Sequence, residues 1–421
     1  MSSERQRIAV IGAGVSGLTA AWLLAEKHEV KIFEAGDYAG GHTNTEEVEA
    51  GGRTWPVNTG FIVFNDWTYP NFIKLMERLG VASEVSDMSF SVDCSSTGLQ
   101  YNGTSLNTLF AQRKNLFNLP FLKMVREILR FNKETRADLE EGNINNEETL
   151  GEYLNRNGYS RYFRNYYIVP MGAAIWSAPE IVLEQFPIRF FLQFFNNHGM
   201  LSVDDRPTWR VISGGSAQYV KKMMYRLGDG MHLNSPVDRV VRNEGGVTLT
   251  VKGEEHHFDQ VIFGCHSDQA LAMLADATDK ERDILGAMAY QNNDVVLHTD
   301  SSVLPDNRRA WAAWNYFIPT HSTEPVSVTY NMNILQNFHD APETFCVTLN
   351  RSRDIDPDKV IKRFEYAHPV FTLDAVAAQE RYDEIGNQNR THFCGAYWFN
   401  GFHEDGVRSA LRVTEAFGVE L

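Results

Sequence analysis

Gly12, Gly14 and Gly17 stand at the spacing that brings a main chain against a phosphate, and Glu34 stands where a carboxylate can accept from a ribose hydroxyl. Such a set would hold a dinucleotide. The first glycine permits a tight turn, the second lets a pyrophosphate approach the backbone, and the third lets a helix pack on a strand. Val15 and Ser16 open that helix, whose N-terminus offers N–H groups and a positive dipole end to the phosphates. The elements needed to position these residues are legible around them. Ile8-Ala9-Val10-Ile11 is an apolar strand running into the glycines, and Val30-Lys31-Ile32-Phe33 is a second strand that ends at Glu34.

A second glycine cluster follows in Asp37-Tyr38-Ala39-Gly40-Gly41-His42-Thr43. Near the other end, Phe393-Cys394-Gly395-Ala396-Tyr397 precedes Gly401-Phe402-His403-Glu404-Asp405-Gly406-Val407-Arg408. In this order the two segments resemble the flavin-binding signatures of the FAD-dependent amine oxidase and phytoene desaturase superfamily. The resemblance implies FAD as cofactor, with Gly40 and Gly41 closing over its pyrophosphate and His42 in the customary place of an Arg. It further implies that Val237 meets adenine through its backbone, and that Gly395, Glu404, Gly406 and Val407 belong to the C-terminal flavin segment.

The implied architecture is α/β: a Rossmann-type FAD-binding domain with an interleaved α+β substrate domain, amine oxidase-like. Residues 1–65, 206–268 and 386–421 are assigned to the first and 66–205 and 269–385 to the second. Helices are expected over 69–79, 119–139, 150–159 and 186–196, and strands over 237–241, 247–251 and 259–265, the first two strands joined by a turn at Glu244-Gly245-Gly246.

Further stretches narrow the resemblance: Asn58-Thr59-Gly60-Phe61-Ile62-Val63-Phe64-Asn65, Val169-Pro170-Met171-Gly172-Ala173-Ala174-Ile175-Trp176-Ser177 and Tyr330-Asn331-Met332-Asn333. They are similar to bacterial flavoproteins encoded beside cyclopropane fatty acid synthases and to the flavin domain of plant cyclopropane synthases. This implies a place for Thr59 and Gly60 at the cofactor, a fatty acyl or phospholipid substrate, and a cyclopropane fatty acid synthase as partner.

Candidate catalytic residues are His403, Asp294 and Tyr397. A His near its ordinary pKa suits proton exchange at neutral pH; His403 equally suits a hydrogen bond to flavin or a helix cap. Asp294 reads as a base near the ring or as a solvated strand end, and Tyr397 as a cavity wall or as core behind Gly395. Amine oxidases of the superfamily place a Lys beside the flavin. The matching stretch, Tyr290 to His298, contains none, which weakens amine oxidation. Trp311, Trp314 and Tyr316 read as core before cavity wall.

Two segments bear on substrate. Phe190, Phe191, Phe194 and Phe195 form an aromatic stripe on one helix, as core or as the wall of an acyl tunnel. Residues 106–136 carry seven Lys or Arg against two Glu, a balance of +5 in a chain of net charge −15. With apolar residues interleaved, this reads as a core-packed helix with a solvated basic face or as a peripheral membrane contact.

The overall acidic charge argues against nucleic acid. The four cysteines lack CxxC spacing, so no metal site is expected and a reduced, cytoplasmic protein is the simplest reading, possible contact with the inner membrane face aside. The N-terminus runs directly into the first strand, so no leader is expected. Three functions remain open: an FAD-dependent oxidoreductase that desaturates, oxidises or isomerises an unsaturated, methyl-branched or cyclopropane acyl chain; a flavin amine oxidase on a small amine; and a non-catalytic flavin-bearing partner of a cyclopropane fatty acid synthase.

Overall fold

In the computed structural model, which describes residues 5–145, 147–177, 180–320 and 327–421, two sheets face one long cavity. The first four residues, on which the expectation of no leader partly rests, lie outside the described residues.

The first sheet is parallel and five-stranded, in the order Met231–His232, Glu29–Phe33, Arg7–Ile11, Gln260–Phe263, Thr391–Phe393. Both faces are covered, which is why its strands read as continuous apolar runs. Ile8, Val10 and Ile32 point to one side, packing with the helix Val15–Leu24 and the C-terminal helix His403–Glu415. Ala9, Ile11, Phe33 and Phe263 point to the other. There they meet a three-stranded antiparallel sheet, Val237–Asn243, Gly246–Val251 and Glu254–Phe258, which lies against the parallel sheet and does not extend it. The expected hairpin is present at Asn243–Gly246.

The second sheet has seven strands in the order Val360–Val370, Ala289–His298, Cys346–Leu349, Ser327–Asn331, Trp314–Ile318, Phe90–Cys94, Leu99–Asn102. It is antiparallel except where Trp314–Ile318 pairs with Phe90–Cys94. A helical layer formed by Leu119–Glu141, Leu150–Arg156, Val169–Trp176 and Ile188–Asn197 packs around it in one core. The helices begin where side-chain caps satisfy otherwise unpaired N–H groups: Asn118 caps Phe121, and Thr149 with Glu152 forms a capping box. These starts and the apolar periodicity explain why the expected helices match within a few residues.

Candidate functional site

A cavity of about 710 Å³ runs between the two sheets. At its nucleotide end Gly12 has φ +96°, and a Cβ there would lie 3.0 Å from the backbone of Gly264 and Cys265. Gly14 caps the first helix in ordinary extended backbone, with no side-chain cap, and a Cβ on it would meet no protein atom within 4 Å. The helix N-terminus at Gly14, Val15 and Ser16 therefore faces open space inside the cavity.

Glu34 sits on the same wall. Its Oε2 accepts from the Ala13 amide at 2.7 Å and its Oε1 from the Gly36 amide at 2.8 Å, which fixes the carboxylate while leaving lone pairs for a ribose. The second glycine loop is laid on the first: Gly40 N donates to Ala13 O at 2.8 Å, and Gly40 and Gly41 have φ of +124° and +57°. Gly60 fits because a Cβ would lie 2.2 Å from the His42 carbonyl oxygen. Val237 lines the wall through its position at the start of its strand.

Farther along stand Gly395, Tyr397, His42, Thr59 and His403. The Tyr397 ring lies over Gly395, where a Cβ would be 2.2 Å from the ring, so Tyr397 both packs on that glycine and forms cavity wall. Gln379 Nε2 holds the local backbone by donating to Tyr397 O at 2.7 Å and Phe399 O at 2.6 Å. Tyr397 Oη and His42 Nε2, two of the buried polar atoms on residues of the wall, have no protein partner. The open cradle at Gly14, the fixed carboxylate of Glu34 and these two orphaned atoms together fit FAD, whose pyrophosphate, ribose and ring heteroatoms supply partners for them.

From residue 15 to residue 416 the chain matches the family described as flavin containing amine oxidoreductase. It belongs to that family. Its curated relatives include amine oxidase [flavin-containing] A of Canis lupus familiaris, 25% identical over 264 residues, covering 59% of this chain and 47% of the relative. L-amino-acid oxidase of Pseudechis australis is 25% identical over 291 residues, covering 62% and 50%. The chain thus spans about half the length of these relatives. Solved structures of similar fold include a CLA-producing fatty acid isomerase from P. acnes, with TM-score 0.71 at 16% identity over 99% of both chains. Cyclohexylamine oxidase from Brevibacterium oxydans IH-35A has TM-score 0.66 at 16% identity over 98% of both.

Within this amine oxidoreductase fold, four expected cofactor residues lie off the cavity. Gly17 serves the packing expected of the third glycine, since a Cβ would lie 2.0 Å from Gly12 O. Gly406 does the same between helices, where a Cβ would lie 2.5 Å from Val15 Cγ1, and Val407 is fully buried core. Glu404 turns away to cap the helix Pro70–Leu79, accepting from Asn71 Nδ2 at 2.6 Å and Phe72 N at 2.8 Å. These residues place the first helix and the C-terminal segment and do not line the cofactor cavity.

Asp294 is also corrected. Its strand neighbours Tyr290 and Val295 line the cavity, whereas Asp294 does not. Of the four stripe phenylalanines only Phe194 reaches the cavity; Phe191 and Phe195 stack on each other in the core with centroids 4.2 Å apart. Conversely Trp314, read as core, is cavity wall, while Tyr316 is buried core.

Several wall residues were not anticipated. Tyr366 and His368 come from the long strand Val360–Val370, and His266 and Tyr290 stack with centroids 4.3 Å apart. The only signal was the dense Tyr366-Ala367-His368-Pro369 run, which carries no recognised spacing.

Burial keeps these groups neutral. It pushes the His368 imidazole down to about 4 and His403 to about 3. His42 is held well below its ordinary value by burial and then by the neighbouring histidines 368, 266 and 403, and His266 is lowered by burial. Burial raises the Tyr290 and Tyr397 hydroxyls and takes the Cys265 thiol up to about 12. Burial thus sets His403 below the ordinary imidazole value on which a role in proton exchange at neutral pH was expected. Among the described residues, Glu34 is the one Asp, Glu, Lys or Arg on the cavity wall.

Proposed function

We propose that this flavin-containing amine oxidoreductase acts on an uncharged stretch of a fatty acyl chain, unsaturated, methyl-branched or cyclopropane-bearing, which it oxidises or isomerises. The composition of the wall carries this reading. Beyond the nucleotide end, the cavity is lined by Ile62, Met88, Phe194, Trp209, Leu349 and Phe371, with no cationic side chain among the described residues to meet a substrate carboxylate. An amino-acid substrate would leave its carboxylate buried without a partner, at a cost of several kcal/mol. An acyl chain instead gains about 0.8 kcal/mol for each CH₂ it buries.

Bound FAD would supply the hydride chemistry, acceptance from a substrate carbon and return to it. The chain's own residues do the rest. The aromatic wall of Tyr397, Tyr330 and Trp314 confines the reacting segment and excludes water. His403 and Thr43 share a 2.8 Å hydrogen bond at the wall, so that imidazole enters as a neutral, fixed group and not as an acid. A structural likeness to a protein named a fatty acid isomerase agrees with this substrate class.

The test is anaerobic incubation of the flavin-loaded protein with phospholipids and free acids carrying each of the three chain types, and with small amines. Acyl products are read by mass spectrometry, because isomerisation leaves the flavin absorbance unchanged at the end of a turnover. New acyl products with inert amines support the reading. Bleaching by amines, with acyl chains recovered unaltered, would replace it with amine oxidation.

A further inference from the structure

We infer that the outer face of residues 106–136 is a docking surface for an anionic lipid bilayer. Five large apolar side chains are exposed within this short stretch: Leu106, Leu116, Phe117, Leu119 and Leu129. Phe117 is 87% and Leu119 76% accessible. Phe117 and Leu119 flank Asn118, the cap of the helix Leu119–Glu141, so they crown its first turn. Their exposure is not the residue of poor packing. The same helix buries Phe121, Met124 and Phe131 on its inner side, at offsets of three and seven that place them on one face.

The charge is sorted in the same way. Lys114, Lys123, Arg126, Lys133 and Arg136 are exposed, Lys123 within 3.9 Å of the Glu127 carboxylate, whereas both acids of the segment are engaged by the protein. Glu127 is buried and accepts from Ser160 N at 3.0 Å, and Glu134 accepts from Tyr159 Oη at 2.7 Å. Arg130 is held inward as well, with its guanidinium 4.0 Å from the Tyr159 ring centroid. What remains outside is a basic helix face with an apolar crown, on a chain of net charge −15.

That combination suits a lipid headgroup layer, where a few inserted apolar side chains and several cations add together. A standard protein partner covers roughly 800 Å² on each side and favours a broad apolar centre over a basic stripe. Nucleic acid takes up inserted Phe and Leu side chains only by unstacking its bases, at about a few kcal/mol for each step. An anionic bilayer satisfies both features, and it would orient the molecule because the rest of the surface is acidic. The inner side of this helix shares a core with Trp176, Phe194 and Phe371, which line the cavity. Docking here would thus seat the apolar end of the cavity's supporting layer on the lipid.

The experiment is co-sedimentation of the flavin-loaded protein with vesicles of phosphatidylcholine, alone or mixed equally with phosphatidylglycerol, across a range of salt. Partition into the mixed vesicles is expected at low salt, falling as salt rises. The triple variant Lys114→Glu, Arg126→Glu, Lys133→Glu should lose about a hundredfold or more in partition, at about a factor of five for each cation removed and more for reversal. Phe117→Ser with Leu119→Ser should lose about tenfold or more. All five positions are exposed, so flavin content and melting temperature should match the unaltered protein. Failure of the unaltered protein to sediment with mixed vesicles at low salt overturns the inference, as does equal partition of the triple variant. Vesicle binding is read without turnover, so it stands or falls independently of the acyl-chain proposal.

Discussion

The His403 imidazole lies flat on the Phe61 ring, with centroids 3.5 Å apart and planes 9° from parallel. Its Nε2 is 2.8 Å from Thr43 Oγ1, which is in turn 2.6 Å from Tyr219 Oη. Two segments far apart in the chain, the loop after the second glycine cluster and the start of the C-terminal helix, are thereby fastened at the cavity wall. A neutral ring stacks better in such an apolar sandwich than a charged one, and burial holds His403 at about 3.

It follows that His403 contributes no ionisation to activity between pH 5 and 8. Replacing it with Gln should lower the rate of flavin reduction without moving any limb of the pH profile in that range. A profile limb near pH 6.5 that disappears in His403→Gln would show instead that the imidazole titrates during turnover.

Gly14→Val should cost the cofactor while sparing the fold. The backbone there is at φ −72°, ψ 179°, which valine adopts readily, and the added Cβ meets no protein atom within 4 Å. What it would occupy is the approach of the pyrophosphate to the helix N-terminus. A colourless protein with an unchanged far-ultraviolet circular dichroism spectrum is the expected result; full flavin occupancy would misplace the phosphate site.

FAD should be held without a covalent bond. Cys394 is fully buried behind the parallel sheet, and Cys265, though on the wall, has its thiol raised by burial to about 12, so little nucleophilic thiolate forms. Acid precipitation should leave a white pellet under a yellow supernatant. A yellow pellet would point to attachment, and peptide mapping would identify the residue.

Stability should fall on mild acidification. His198, His298 and His392 lie off the main cavity and are pushed by burial to about 4. Unfolded, each takes up a proton below about pH 6.5; folded, each stays neutral until about pH 4. The unfolded chain therefore binds more protons across that window, so stability is fully present above pH 6.5 and declines as pH drops toward 4. Melting temperatures of the flavin-loaded protein at pH 7.5, 6 and 5 check this, and a flat series would contradict it.

Much of the nucleotide end was legible from local spacing alone. Gly12, Gly14 and Glu34 carry their roles within one strand–turn–helix–strand unit, whose geometry depends on residues fewer than thirty positions apart. Helices at 70–79 and 119–141 were legible for the same reason, because caps and apolar periodicity are local properties.

The opposite end of the cavity was settled only by tertiary structure. Along one strand Tyr290 and Val295 reach the wall and Asp294 does not, a choice set by how the strand lies against the cavity and invisible in composition. Glu404 was drawn off to the unpaired amides of a helix more than three hundred residues earlier, a partner that only folding brings near. His368 and Tyr366 reached the wall because their strand runs along the edge of the seven-stranded sheet beside the second glycine loop. Sequence by itself determined which residues can cradle a phosphate, since that is a matter of backbone freedom and spacing. Which side chains face the substrate depended on how each strand lies against the cavity and on long-range pairing, and only the assembled sheets decide those.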